Sequence, residues 1–492
     1  MQRALRLLGL SACLLSTHAF AQASTEPDVP LPVEGQKEAE PSASEAPVPS
    51  EAEPTASVAE RAAAPAAKAK LGDVSVSGYL RGGFGASSQK GRMTCFQLAI
   101  PGGLVSKYRL GNECEVWSET EFKVVAYAGD DGLVATVHVM PTVYIPTTYI
   151  GYSPTATTSS PAQYTTSTGA TVSFPNLYVD VAGIPWLAGG TAWIGTRYYK
   201  RESVYISDFF YWNPSGVGAG VEDIQLGHDL RLSYAVFAVD GEPRSADNAS
   251  PPLPMQVDFG FRNDLQLRGI RPYPSGEVQV GFQYIADYSN NHDANGDAVT
   301  HSGWGLTLQH VQKVLGGDNK LAFQYGKGGG TGFGTLSRFY YPDFSLYFAP
   351  SEYRTRLVDV LTIQPLEALG AQLNFVYQHD DLGNSGQKTN WYSAGARLGY
   401  AFTKYAKLLG EAGYDLVKKS NGADPQWLAK FTIAPTLAVG EGFWARPELR
   451  LFYTWAVWNE AARTATVDSG RLYTTTDLLS GSNFGLQAEA SW

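Results

Sequence analysis

The chain has 492 residues, with 37 Lys+Arg against 47 Asp+Glu and a formal net charge of −10. An acidic chain with a pI near 5.3 is poorly matched to nucleic acid. A mean hydropathy of −0.18, and no apolar run approaching the roughly 18 residues a spanning helix needs, exclude a bundle of transmembrane helices.

Residues 1–21 read as an export signal. Arg3 and Arg6 flank the start, Leu7 to Leu15 are mostly apolar, and Ala19-Phe20-Ala21 supplies a small-residue cleavage site. Leu10-Ser11-Ala12-Cys13 also resembles a lipoprotein cleavage box, although the apolar stretch before Cys13 is short for that route. From Gln22 to about Lys70 the composition turns to Pro, Glu, Ala and Ser, with Pro27, Pro30, Pro32, Pro41, Pro47, Pro49, Pro54 and Pro65 interrupting it. Such a segment buries too little apolar area to offset its ordering entropy, so residues 22–70 are expected to be a disordered, acidic periplasmic tether. A plain linker is the simpler role; contact with peptidoglycan is the alternative.

Residues 71–492 read as one domain of strands and turns. Ser77, Tyr79 and Arg81 share one face of the first strand. Cys95 and Cys114 then bracket a Pro/Gly turn, and they are the cysteines left once Cys13 is removed with the signal. In an exported chain they most simply form one disulfide, which on the entropic account restricts the unfolded chain by about 3 kcal/mol. A metal pair is the weaker alternative, since no His or second Cys pair lies nearby.

From Glu113 the odd positions are Glu113, Glu115, Trp117, Glu119, Glu121 and Lys123, and the even ones Cys114, Val116, Ser118, Thr120, Phe122 and Val124. Period-2 alternation sends these sets to opposite faces of one strand, and the charged face must meet water. Further on, Met255, Val257, Phe259 and Phe261 alternate with Gln256, Asp258 and Arg262, while Val278, Val280, Phe282 and Tyr284 alternate with Glu277, Gln279 and Gln283. Leu373, Phe375 and Tyr377 alternate with Gln372, Asn374 and Gln378, and Trp444, Arg446, Glu448 and Arg450 with Ala445, Pro447, Leu449 and Leu451. The last strand puts Leu486, Ala488, Ala490 and Trp492 on one face, as the closing strand of an outer-membrane barrel does. About 18 such segments are legible, an even number within the range of single-chain transmembrane β-barrels. Long irregular stretches near 141–172, 240–252, 288–301, 327–353, 381–390 and 457–482 are rare in compact soluble domains and fit outer loops. The expected fold is therefore all-β: a transmembrane antiparallel barrel with long extracellular loops.

Ser106 to Glu115 (Ser-Lys-Tyr-Arg-Leu-Gly-Asn-Glu-Cys-Glu) resembles the signature near the start of maltoporin-type sugar porins, the LamB family. Trp193 to Arg201, Asp208 to Trp212, Ser215 to Gly220 and Phe443 to Arg450 resemble further blocks of the same family, and the likeness runs from about Val74 to Trp492. The resemblance implies a homotrimer in the bacterial outer membrane, embedded in its lipid, that passes sugars by facilitated diffusion. It also implies that the segment from Arg197 to Asn213 folds inward to constrict the pore, with the glycines after Pro214 allowing a tight backbone path.

A sugar has an apolar C–H face and a polar rim, so rings along a pore stack on the face while charged groups bond the rim. Binding must stay weak and multi-site, or the sugar would not leave. Carried over by position, the aromatic slide comprises Tyr79, Trp117 and Trp444, with Phe210 at the constriction and Tyr164 reaching in from a neighbouring subunit. The ionic track comprises Arg81, Arg109, Glu119, Arg201 and Asp208. Ser203 replaces an acid, Asp318 stands where the family has a phenylalanine, and Ser491 where it has a penultimate tryptophan. Those departures put preference for long maltodextrins in question. A general or differently selective diffusion porin is the first alternative; a barrel used mainly for adhesion or wall tethering is the second.

Other patterns carry less. The run from Lys327 to Gly334 lacks the Gly-Lys-Ser/Thr ending of a phosphate loop. Asp293, Asn295 and Asp297 have calcium-ligand spacing but no remaining EF-hand loop, and Asn295-Gly296 is more simply a turn. His138, His228, His292, His301, His310 and His379 are scattered without HExxH or GxSxG, so neither an enzyme nor a resident cofactor or metal is expected.

Overall fold

A computed structural model describes residues 69–98, 107–146, 156–160, 163–166, 170–240, 259–288, 302–332, 351–383, 387–465 and 477–492, with 156–160 and 163–166 described by backbone alone. Its strands, in chain order, are β1 (Val74–Ser87), β2 (Glu115–Ala128), β3 (Val134–Pro146), β4 (Ala156–Ser160), β5 (Gln163–Thr166), β6 (Thr171–Ile184), β7 (Gly190–Arg197), β8 (Glu202–Val204), β9 (Phe209–Trp212), β10 (Gly216–Gly227) and β11 (Leu230–Asp240). There follow β12 (Phe259–Tyr273), β13 (Gly276–Asp287), β14 (Gly303–Val314), β15 (Gly317–Gly328), β16 (Tyr353–Leu366), β17 (Leu369–Asp381), β18 (Lys388–Thr403), β19 (Ala406–Lys419), β20 (Gln426–Ala438), β21 (Glu448–Trp458) and β22 (Ser480–Ser491). One short helix, α1 (Glu460–Ala465), follows β21.

Eighteen of these strands close a single antiparallel barrel. Pairing runs β1–β2–β3–β6–β7–β10 and then stepwise from β10 to β22, and β22 returns to β1 with Tyr79 opposite Ser491 and Ser87 opposite Asn483. Closure removes the free edges, so the backbone polar groups of the wall pair from strand to strand rather than with water. β4 and β5 form a hairpin paired to the start of β6 and are not among the eighteen, and β8 and β9 pair with each other within the connection between β7 and β10.

The alternation that makes each strand also sorts its side chains. On β20, Lys430, Thr432 and Thr436 are buried inside while Phe431, Ile433 and Leu437 are exposed outside. Leu449, Leu451, Tyr453 and Trp455 on β21, and Phe484 and Leu486 on β22, continue the apolar outer belt. The chain thus exposes its greasy residues and buries its charged ones, the pattern a wall needs when lipid lies outside and a polar lumen inside. Trp492 closes the seam on the outer face, its ring lying over Gly78, where any Cβ would overlap it.

Three local expectations are revised. Trp444 and Arg446 precede β21 in the turn spanning 439–447; Pro447 has no N–H to give a ladder, and the strand starts after it. Gly216, Gly218 and Gly220 lie within β10, not in the loop before it, and their bare inner surface leaves room for Trp193, Phe237 and the Arg262 guanidinium. β3 continues to Pro146, into the stretch expected to be loop. Asp293, Asn295 and Asp297, the signal and most of the tether lie outside the described residues.

Candidate functional site: the constricted lumen

Two long connections turn into the barrel and meet there. The first, between β1 and β2, is tied at its base by the Cys95–Cys114 disulfide. It runs inside the barrel along the β18–β22 side, where the Tyr108 hydroxyl bonds Ser393 Oγ at 2.9 Å, and the Leu110 and Gly111 amides donate to Glu411 and Gln487, each at 2.9 Å. The Tyr108 ring is seated against Gly395 and Gly413, and a Cβ on either would overlap it. Phe96 packs on Trp458 with centroids 5.7 Å apart.

The second is the constriction segment between β7 and β10. Its tip, Tyr205–Ser207, is one 3-10 turn ended by Asp208 at φ 55°, a left-handed position that Asp tolerates better than most residues. Phe209 meets Trp391 at 5.3 Å, the Tyr211 hydroxyl donates to Gln309 at 2.6 Å, and the Ile206 amide donates to Gln372 at 3.0 Å. The two connections join directly: the Lys107 and Arg109 amides donate to the Ser207 and Ile206 carbonyls, both at 3.0 Å. They behave structurally as one inward-folded body.

Charges hold that body to the wall. Arg81 reaches Asp208 and Glu115, each at 3.1 Å. Lys107 bridges Glu115 and Glu113 at 2.5 and 3.0 Å, and Arg109 bridges Glu113 and Glu489 at 2.7 and 3.3 Å. Burial alone would push the Glu113 carboxyl up; Arg81, Lys107 and Arg109 around it win, and hold it well below the usual carboxylate range. Glu202 on β8 is likewise lowered against its burial by Lys320 at 2.8 Å and Arg268 at 3.5 Å.

All the described slide and track residues belong to the lumen or its mouth. Tyr79 and Trp117 face inward side by side but are covered, at 5% and 1% exposure, with Tyr144 6.2 Å from Trp117. The Tyr79 hydroxyl donates to Glu489 at 2.7 Å and accepts from Arg109 at 2.5 Å. Ser491 lies opposite Tyr79 in the seam, so no second ring extends the pair there. Trp444 is 44% exposed in its turn and packs on Tyr205 and Phe443, each at 4.9 Å. Arg201 lies 3.4 Å over the Tyr198 ring and 5.0 Å from Phe210, and the Tyr198 hydroxyl donates to Glu119 at 3.2 Å. These three constriction residues keep partial access to the lumen. Asp318 sits at the short-turn end of β15 beside Lys313 at 3.7 Å, and Tyr164 lies on β5 with its side chain outside the described residues.

Tyr205, Glu489 and a second lumen wall escape the sequence reading. In that wall His138 stacks on Tyr178 at 4.1 Å and bonds Asp180 at 2.9 Å, while Arg197 lies over Tyr178 and Trp193 at 4.6 and 4.9 Å. Their signals in the sequence are inward phase in β3, β6 and β7, and the place of Trp193, Arg197 and Tyr205 in the Trp193–Arg201 block and the inward-folding segment. Among the described residues no group of His, Cys, Asp and Glu has the arrangement of a metal site.

A closed barrel with an apolar exterior, a charged lumen and an inward-folded constriction is a porin of the bacterial outer membrane. The chain belongs to the LamB porin family, which it matches over residues 74–492. Among solved structures it is similar to OmpT of Vibrio cholerae in its trimer form, with 8% identity, a TM-score of 0.36, and coverage of 86% of this chain and 100% of that one. It is also similar to OccAB2 of Acinetobacter baumannii, with 10% identity, a TM-score of 0.43, and coverage of 85% and 98%. OpdK of Pseudomonas aeruginosa, solved with vanillate, gives 10% identity, a TM-score of 0.42, and coverage of 86% and 100%.

Proposed function

We propose that this porin admits carbohydrates by facilitated diffusion, with no chemical step and no energy coupling. The observation that carries the reading is the group at the constriction: two rings, Tyr198 and Phe210, flank the Arg201 guanidinium beside Glu119. Rings give a pyranose its apolar contact and the charged groups bond its hydroxyls, each weakly enough for exit. Trp117 and Tyr79 serve as the inner slide and Trp444 as its mouth, with Arg81, Arg109 and Asp208 fixing the wall they stand on. In the same reading three copies assemble, and Tyr164 reaches a neighbour's pore. Residues 1–21 direct export, and residues 22–70 form an acidic tether on the periplasmic side.

A narrower, differently selective diffusion pore is the second reading. It is favoured by the covering of Tyr79 and Trp117, and by Ser491 beside Tyr79 where a longer slide would need a ring. Planar-bilayer recording separates the two. Current block by maltose, sucrose or longer glucans is expected for a sugar path; full conductance with no block by any of them would overturn it.

A further inference from the structure

Tyr205 stands where three segments converge. It belongs to the constriction tip, yet its ring lies 4.7 Å from the guanidinium of Arg109 on the first inward connection, 5.0 Å from that of Arg397 on β18, and 5.7 Å from that of Arg446 in the 439–447 turn. Its hydroxyl donates to the Glu489 carboxylate at 2.7 Å and accepts from Arg446 Nη2 at 2.5 Å. Phe443 and Trp444 cover its remaining edge at 6.2 and 4.9 Å. Glu489 also receives Arg109, Arg446 and Arg450, and the Tyr79 hydroxyl.

Three guanidiniums gathered in a desolvated space repel one another unless something of opposite field lies between them. The Tyr205 ring supplies it on its faces, which attract cations, and its hydroxyl completes the tie to Glu489. We propose that Tyr205 is the latch that sets the pore's aperture. It locks both inward connections and the 439–447 turn to the β18–β22 wall, acting as a positioning residue for permeation while the partly exposed constriction residues meet the permeant. Guanidiniums lie against the Tyr205 ring, Phe443 and Trp444 close its edge, and Glu489 and Arg446 take its hydroxyl, so its surroundings are filled by the protein's own groups.

This inference rests on the porin assignment and is independent of the sugar reading, because ion current alone tests it. Single-channel recordings in potassium chloride would compare the full chain with Tyr205→Ala and Tyr205→Phe, each first checked for folding by heat-dependent gel mobility. The alanine variant is expected to raise unitary conductance and open-channel noise. Phenylalanine, which keeps the ring and loses the hydroxyl tie, is expected to restore conductance toward the parent while leaving excess noise. Parental conductance in a folded alanine variant overturns the latch. If the alanine variant does not fold, the phenylalanine variant decides: excess noise supports the latch and parental noise overturns it. Raised conductance in the alanine variant of a channel that no sugar blocks would support the latch and count against the carbohydrate path alone.

Discussion

Arg81 on the first strand and Asp208 at the constriction tip form an ion pair of 3.1 Å across the lumen, with both side chains shut off from water. Glu115 shares the same guanidinium at 3.1 Å. Deleting one member of a buried pair leaves an uncompensated charge, at a cost of about 3–5 kcal/mol. Arg81→Met is therefore expected to release the constriction tip, seen as faster protease cleavage within 198–215 and higher ion conductance. Unchanged cleavage and conductance would mean the pair does not hold the segment.

Trp117→Ala probes the covered part of the proposed slide. Removing a buried indole costs about 3–5 kcal/mol, so Trp117→Phe is the companion that preserves packing. Sugar block is expected to fall in both, more in the alanine variant, with conductance kept or raised. Titration of current block by maltose decides it: parental block in the folded alanine variant removes Trp117 from the path.

Tyr108 predicts a size rule at two glycines. Gly413→Ala forces a methyl into the Tyr108 ring, and overpacking of this kind costs about 1–3 kcal/mol. The first connection should leave its seat, exposing residues 107–113 to protease. Adding Tyr108→Ala should relieve the overlap, so that the double variant unfolds less readily than the sum of the two changes implies.

Glu113 gives the pH dependence. Its folded carboxyl titrates below the ordinary carboxylate value because three cations surround it. Its stabilising contribution is therefore complete above the unfolded value of about 4.3 and is lost as pH falls from there through the depressed folded value. Thermal melts in detergent are expected to be flat with respect to this group near neutrality and to drop in acid. Glu113→Gln should lower stability near neutrality and shallow the acid slope; a slope equal to the parent's would assign that dependence to other carboxylates.

The sequence by itself determined the barrel. Strict alternation from Glu113 to Val124, and again from Leu486 to Trp492, fixes which side chains see lipid, because a strand offers no third face. Eighteen strands and the inward phase of Tyr79, Arg81, Trp117 and Glu119 were legible for the same reason, since each depends on neighbours along the chain; the Cys95–Cys114 pairing was legible because two cysteines follow residues 1–21. Tertiary structure decided what those inward residues meet. Glu489 gathers two tyrosines and three arginines from five segments, and Tyr108 finds its seat between Gly395 and Gly413, hundreds of positions away. No local period encodes such a meeting. It arises only when the cylinder closes and the two inward connections, joined through the Lys107 and Arg109 amides, come to rest on strands they do not connect.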